Sequence, residues 1–166
     1  METVFEGKHL LVLEREDWQY VERKKGKEAV AVVAEVEEGL ILTEQQRHPL
    51  HRRVIDFPAG LVGDEEGHTD PAETARKELE EETGYTCERV ELLTRGPTSP
   101  GITSEIVSLY RAHGVTKHGQ GGGVAGEDIT VHVIPRGELR EWLRGKEREG
   151  VLVDLKLGIY VSAQSA

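Results

Sequence analysis

Along most of the chain the apolar residues either alternate with polar ones or run together in short β-branched stretches, and helical spacing appears in only three places. Residues 4–13 and 17–23 read as two strands joined by a polar turn, and Lys24 to Lys27, with Gly26, makes a second turn. Residues 30–36 (VAVVAEV) and 40–43 are nearly continuous apolar runs separated by Gly39, the pattern of strands buried on both faces. Short strands are also expected at 54–57, 90–93, 106–112 and 129–134, the last two as partners.

The helical spacings lie at 71–83, 136–148 and 151–163. In the first, Asp70 is a side-chain cap, Pro71 fits the first helical position, Glu73 completes a capping-box pattern and Gly84 ends the helix. Ala75 and Leu79 should then face the core. In the second, Leu139, Trp142 and Leu143 share an apolar face.

With 166 residues the chain can bury about 70% of its unfolded surface around one core. Its 31 acidic and 21 basic side chains, net charge −10, argue against a nucleic-acid or anionic-membrane surface. An anionic small substrate remains open, because a bound cation reverses the local sign. Cys87 is the single cysteine, so no internal disulfide forms and a reducing cytoplasm is the expected compartment. Neither a signal-peptide core nor a membrane-length apolar run is present. The seven histidines show no tight zinc-ligand spacing.

The first helix carries the candidate chemistry. Glu78, Glu81 and Glu82 stand at i, i+3 and i+4, on one face and in the last turn. Mutual repulsion and the negative end of the helix dipole each cost about 0.2–1 kcal/mol there. Either these carboxylates form a solvated acidic face or a cation offsets the cost. Mg²⁺, or Mn²⁺, is suited to the second case because it binds a few carboxylates together with substrate phosphates. A dedicated Ca²⁺ loop is not indicated, since D-x-D-x-D-G is absent.

The residues around this helix resemble the Nudix hydrolases, whose signature is G-x5-E-x7-R-E-U-x-E-E-x-G-U. Residues 77–85 (KELEEETGY) match its final nine positions except that Lys77 stands for Arg. The first half departs: counting from Gly60 puts Glu66 at the first glutamate, whereas counting back from Lys77 puts Thr69 there, as though the loop were lengthened by three residues. The resemblance implies an α/β/α sandwich with a mixed sheet, an α/β (α+β) fold, carrying a small N-terminal antiparallel hairpin at 1–27 ahead of a Nudix domain at 28–166.

Further features resemble the branch that cleaves ADP-ribose: Trp18, Val21 and Arg23 as W-x-x-V-x-R, residues 44–47 as E-Q-x-R, residues 57–60 as F-P-A-G, and Pro100 fifteen residues past Tyr85. The resemblance implies hydrolysis of a nucleoside diphosphate sugar to a nucleoside monophosphate and a sugar phosphate. Glu78, Glu82 and Glu81, with the Ala59 carbonyl, would hold Mg²⁺. Arg47 and Arg23 would bind the diphosphate, Glu105 would reach the site, and Trp18 would stack on the base, in relatives across a homodimer. By residue type alone, Trp18 can equally be hairpin core, and Arg23, Arg47 and Glu105 can be solvated. Arg52 and Arg53 read as loop surface.

Residues 114–128 hold six glycines and form a long loop of the kind that is more often functional than filler. Where relatives show E-x-E-x-I at its end, this chain has Ala125-Gly126-Glu127-Asp128-Ile129, which leaves Glu127 as the candidate base, with Glu81, Glu82 and Glu105 behind it. The loop ending also resembles GDP-mannose hydrolases, and the missing first carboxylate leaves open a nucleotide-binding protein without turnover.

Overall fold

The computed structural model describes residues 1–63, 70–123 and 127–164. Glu66, Thr69 and Ala125, on which the altered signature and the loop ending turn, lie outside the described residues.

Three strands open the chain: β1 (Glu2–Glu6), β2 (Leu10–Arg15) and β3 (Trp18–Arg23), paired antiparallel in that order. The run expected as one strand over 4–13 is therefore two. Gly7 breaks it, its N–H turning back to the Leu10 carbonyl at 2.8 Å. This sheet has little core of its own, with Val4, Phe5, Leu10 and Trp18 all exposed.

The main sheet is built from β4 (Glu28–Val36), β5 (Gly39–Arg47), β6 (Arg52–Asp56), β7 (Ala59–Val62), β9 (Arg89–Pro97), β10 (Ile106–His113), β12 (Ile129–Ile134) and β13 (Leu152–Val153). Its path runs β13-β6-β5-β4-β10-β9, with β12 paired to β5 and β7 to β4. The β4–β10 and β6–β13 pairs are parallel and the others antiparallel. A small ladder of β8 (Tyr85–Thr86) and β11 (Thr116–Lys117) stands apart.

Helix α1 (Pro71–Thr83) covers one face of the sheet, and α2 (Leu139–Arg148) and α3 (Leu155–Ala163) cover the other. The continuous apolar run of β4 explains this sandwich. Val30, Val32 and Ala34 pack with Ala75 and Leu79 of α1, while Ala31 and Val33 pack with Leu139, Leu143 and Leu157. Period two sends alternate residues to opposite faces, and both faces are covered. Leu79 is fully buried, which contributes about 1.5–3 kcal/mol.

Helix α1 has the expected ends. Asp70 Oδ1 accepts from the N–H groups of Ala72 and Glu73 at 2.7 and 3.3 Å, and Gly84 adopts the left-handed conformation, φ 70°, as its N–H closes on Glu80. Three expectations need correction. The strand at 129–134 pairs with β5, not with 106–112, which lies between β4 and β9. The stretch 151–163 is not one helix: residues 152–153 join β6, and Asp154 caps α3 by accepting the Lys156 N–H at 2.9 Å. Arg53 is not loop surface but a member of β6 with a partly buried ion pair.

Candidate active site

A cleft of about 720 Å³ opens where β7, the end of α1 and the residues leading into β12 meet, and the N-terminal sheet reaches its rim. That sheet is attached by Val21, whose N–H donates to the Ile102 carbonyl at 2.8 Å and whose carbonyl accepts the Ser104 N–H at 3.3 Å. The attachment brings Arg23 beside Glu105, Nε to carboxylate oxygen 2.9 Å, and both line the cleft.

On the cleft floor Glu82 is only 4% exposed, and one carboxylate oxygen accepts the Ala59 N–H at 3.0 Å. Burial drives its pKa to about 8; the Ala59 bond opposes that, the charges of Glu78 and Glu127 push it further up, and Arg47 opposes them. Glu78 presses on Gly60 so closely that a β-carbon there would lie 1.9 Å from its carboxylate oxygen. Glycine at position 60 thus lets a carboxylate sit directly over the strand backbone.

Of the residues singled out in the sequence, Arg23, Arg47, Ala59, Glu78, Glu82, Glu105 and Glu127 all line this cleft. Glu81 does not line it. Its half-buried side chain pairs with Lys77 at 3.5 Å, one turn earlier on the helix. Trp18 is not at the cleft either; it begins β3 and is 61% exposed.

The carbonyls at the end of α1 are satisfied within the chain. Gly122 and Gly123 donate their N–H groups to Glu82 and Glu81 at 2.7 and 3.0 Å, His118 and Gly119 to Gly84 at 2.8 Å, and Lys117 Nζ reaches Thr83 at 2.9 Å. The glycine-rich loop therefore docks on the pole of the acidic helix, and Glu127 follows it into the cleft.

The opposite wall was not foreseen. Asp56 is buried, accepts from the Phe57 N–H at 2.8 Å and from Lys156 Nζ at 3.0 Å, and lines the cleft with Lys156 and Asp154. Burial raises its pKa to about 6 in spite of Lys156. Leu155 and Ile159 add an exposed apolar shelf. Asp154 carried a readable signal, an Asp just before an apolar helical run, whereas nothing local marks Lys156.

Divalent-ion chemistry suits the floor. Crowded, dehydrated carboxylates are stabilised by a cation, and the oxygen-only donor set is that of Mg²⁺ or Mn²⁺. Among the described residues no three His, Cys, Asp or Glu side chains enclose an ion by themselves. An ion there would complete its coordination with water or with oxygen atoms of a bound ligand. Beyond the described sheets, no helix among the described residues is long and apolar enough to cross a membrane.

A family model described as NUDIX domain matches residues 25–152, well over half of the chain. The methanol dehydrogenase activator of Bacillus methanolicus is 45% identical over 107 residues, 64% of this chain and 56% of that protein. The ADP-ribose pyrophosphatase of Bacillus subtilis (strain 168) is 40% identical over 119 residues, 67% of this chain and 62% of that protein. The GDP-mannose pyrophosphatase of Cronobacter sakazakii is 37% identical over 105 residues, 62% of this chain and 51% of that protein. The chain thus spans between half and two thirds of the length of these relatives. A crystal structure of an ADP compounds hydrolase superposes with a TM-score of 0.64 at 22% identity, covering 89% of this chain and 93% of that one, a likeness of fold.

Proposed function

This chain belongs to the Nudix family, and from that premise we propose that it hydrolyses the diphosphate bond of ADP-ribose or a related nucleoside diphosphate sugar with the help of Mg²⁺ or Mn²⁺. The observation that carries the reading is the convergence of Glu82, Glu78 and Glu127 on one cleft that also holds Arg47 and Arg23. The names of the relatives from Bacillus subtilis and Cronobacter sakazakii support the substrate class.

A diphosphate repels nucleophiles, so its cleavage needs neutralised charge, a deprotonated water and a held leaving group. A divalent ion, when bound, polarises the phosphoryl oxygens and acidifies water. Glu78 and Glu82 would hold it with the Ala59 carbonyl, while Glu81 pairs with Lys77 at 3.5 Å outside the cleft lining. The Ala59 N–H keeps the Glu82 carboxylate aimed at the floor. Glu127 takes the proton of the attacking water, a step typically contributing about 10²- to 10⁴-fold. The planar fork of Arg47 matches phosphate oxygens, as does that of Arg23, which Glu105 orients. ADP-ribose would yield AMP and ribose 5-phosphate.

In a single chain Trp18 stands away from the cleft, so stacking on the base calls for a second copy. The exposed Val4, Phe5, Leu10 and Trp18 of the N-terminal sheet suit a homodimer interface, with residues 1–27 as the dimer-forming extension of a domain at 28–166. The single cysteine fits a cytoplasmic enzyme.

Incubation with ADP-ribose, GDP-mannose and other nucleoside diphosphate sugars and Mg²⁺ should release the corresponding monophosphate from at least one, and release from none contradicts the reading. A second reading, binding of another protein as an activator, is favoured by the name of the 45% identical relative. It would show as specific binding of a partner protein, with no nucleoside monophosphate released from any of these substrates.

A further inference from the structure

We propose that Arg53 is a positioning residue that holds the proposed base Glu127 in place through the side chain of Asp128, an inference that rests on the hydrolase reading above. Arg53 lies on β6, outside the cleft, and its guanidinium is divided between two carboxylates. Its Nε donates to Glu44 at 2.6 Å, and its Nη2 donates to the Glu44 carbonyl at 2.9 Å and to Thr130 Oγ1 at 3.1 Å. Its Nη1 donates to Asp128 Oδ2 at 2.8 Å.

The first carboxylate is an immobile anchor. Glu44 is 5% exposed and is also held by Lys146 at 3.1 Å and by His132 at 2.9 Å, so Arg53 is fixed from within the fold. The second is different. The Asp128 side chain is 76% exposed, and β12 begins only at the next residue, Ile129, paired to Gln45, so the contact with Arg53 extends the tie to the sheet one residue further toward Glu127. A planar fork can serve both carboxylates at once, which an ammonium of one point charge cannot do with the same geometry.

Glu127 is the next residue back along the chain. From its other side, Gly123 is bonded to the Glu81 carbonyl at 3.0 Å, and a β-carbon at Gly123 would lie 2.3 Å from the Glu127 carboxylate. The carboxylate is therefore held between the end of the acidic helix and the Arg53–Asp128 contact. A base displaced by about 1 Å can lose about 10²-fold in rate, so a tether one residue away controls turnover without touching substrate.

The test compares Asp128→Ala, Asp128→Glu, Arg53→Lys and Glu127→Gln with the unaltered protein, following kcat and KM, the unfolding midpoint and backbone amide exchange at residues 127–130. Asp128→Ala should lower kcat by about 10-fold or more, leave KM and the unfolding midpoint unchanged, and speed amide exchange at 127–130 while β5 and β6 keep theirs. Asp128→Glu should recover part of the rate, and Arg53→Lys should fall with Asp128→Ala. An Asp128→Ala protein with wild-type kcat, beside an inactive Glu127→Gln protein, overturns the tether and leaves the hydrolase reading standing. If the unaltered protein hydrolyses nothing, the hydrolase reading fails, and unchanged amide exchange in Asp128→Ala would overturn the tether on its own terms. A kcat loss in Asp128→Ala matched by a fall in its unfolding midpoint also overturns it, whereas Arg53→Lys is read by kcat against its own midpoint because it also loosens the Glu44 anchor.

Discussion

Glu44 and Glu82 are buried to nearly the same depth, 5% and 4% exposed, in opposite electrostatic surroundings. Burial pushes the Glu44 carboxyl upward, but the hydrogen bonds from Arg53, Lys146 and His132 outweigh it and hold the group below its ordinary value of 4.5. Glu82 meets one backbone N–H and two further carboxylates and is driven to about 8. The first site is neutralised by the chain itself and serves the fold, joining β5, β6, β12 and α2. The second is left in deficit of positive charge inside a cleft, which is where an ion from solution has work to perform. Depth alone would not have separated the two; the sign of the neighbours does.

The contrast can be broken by neutralising each carboxylate in turn. Glu82→Gln keeps the acceptor for the Ala59 N–H and removes the charge, so hydrolysis should fall by at least about 10²- to 10⁴-fold in a steady-state assay, with folding intact. Glu44→Gln should do the reverse. It leaves Arg53 and Lys146 facing a neutral group and should cost about 3–5 kcal/mol in chemical denaturation. A Glu44→Gln protein as stable as the original, or a Glu82→Gln protein that turns over normally, removes the distinction.

Acidity sharpens it further. The native carboxyl of Glu82 holds its proton more tightly than the unfolded one, so in ion-free protein its contribution to stability is complete below about 4.5 and is lost as pH rises through about 8. Glu44 runs the other way. Its contribution is present above the unfolded value of 4.5 and is lost as pH falls through its depressed native value. Denaturation curves across this range should therefore flatten at the alkaline limb in Glu82→Gln and at the acid limb in Glu44→Gln. The opposite assignment, or no change in either limb, would count against the pair of environments described.

The smallest effect concerns the rim. Trp18→Ala should raise KM by about two- to tenfold, the scale of one aromatic contact, and leave kcat and the unfolding midpoint alone. Sedimentation at micromolar concentration should show a dimer, and a monomer would remove Trp18 from any role across subunits.

The acid cluster was legible in the sequence because its parts are local. Asp70-Pro71 and Gly84 bracket one helix, and the i, i+4 spacing brings Glu78 and Glu82 to one cleft, although the i+3 member Glu81 turns to Lys77 instead. The strand β4 was equally plain, since an uninterrupted apolar run has only buried places to go. What stayed hidden was non-local. The pairing of β12 with β5 instead of β10 depends on where chains meet, not on their own pattern. Arg53 looked like loop surface because its partners Glu44 and Asp128 lie 9 and 75 residues away. Residues 151–163 read as one helix because Val151, Leu152 and Val153 suit a helical face as well as a strand, and only the parallel pairing with β6 decides between them. Lys156 was missed for the same reason, its partner Asp56 being 100 residues distant.

The most direct test is calorimetric titration of Mn²⁺ or Mg²⁺ into the ion-free protein, with and without AMP. The unaltered protein and Glu44→Gln at a temperature where it is folded should both take up the ion, and Glu82→Gln should take up little or none. Equal uptake by Glu82→Gln, or no uptake by the unaltered protein under either condition, would contradict the claim that this floor is completed by a divalent cation.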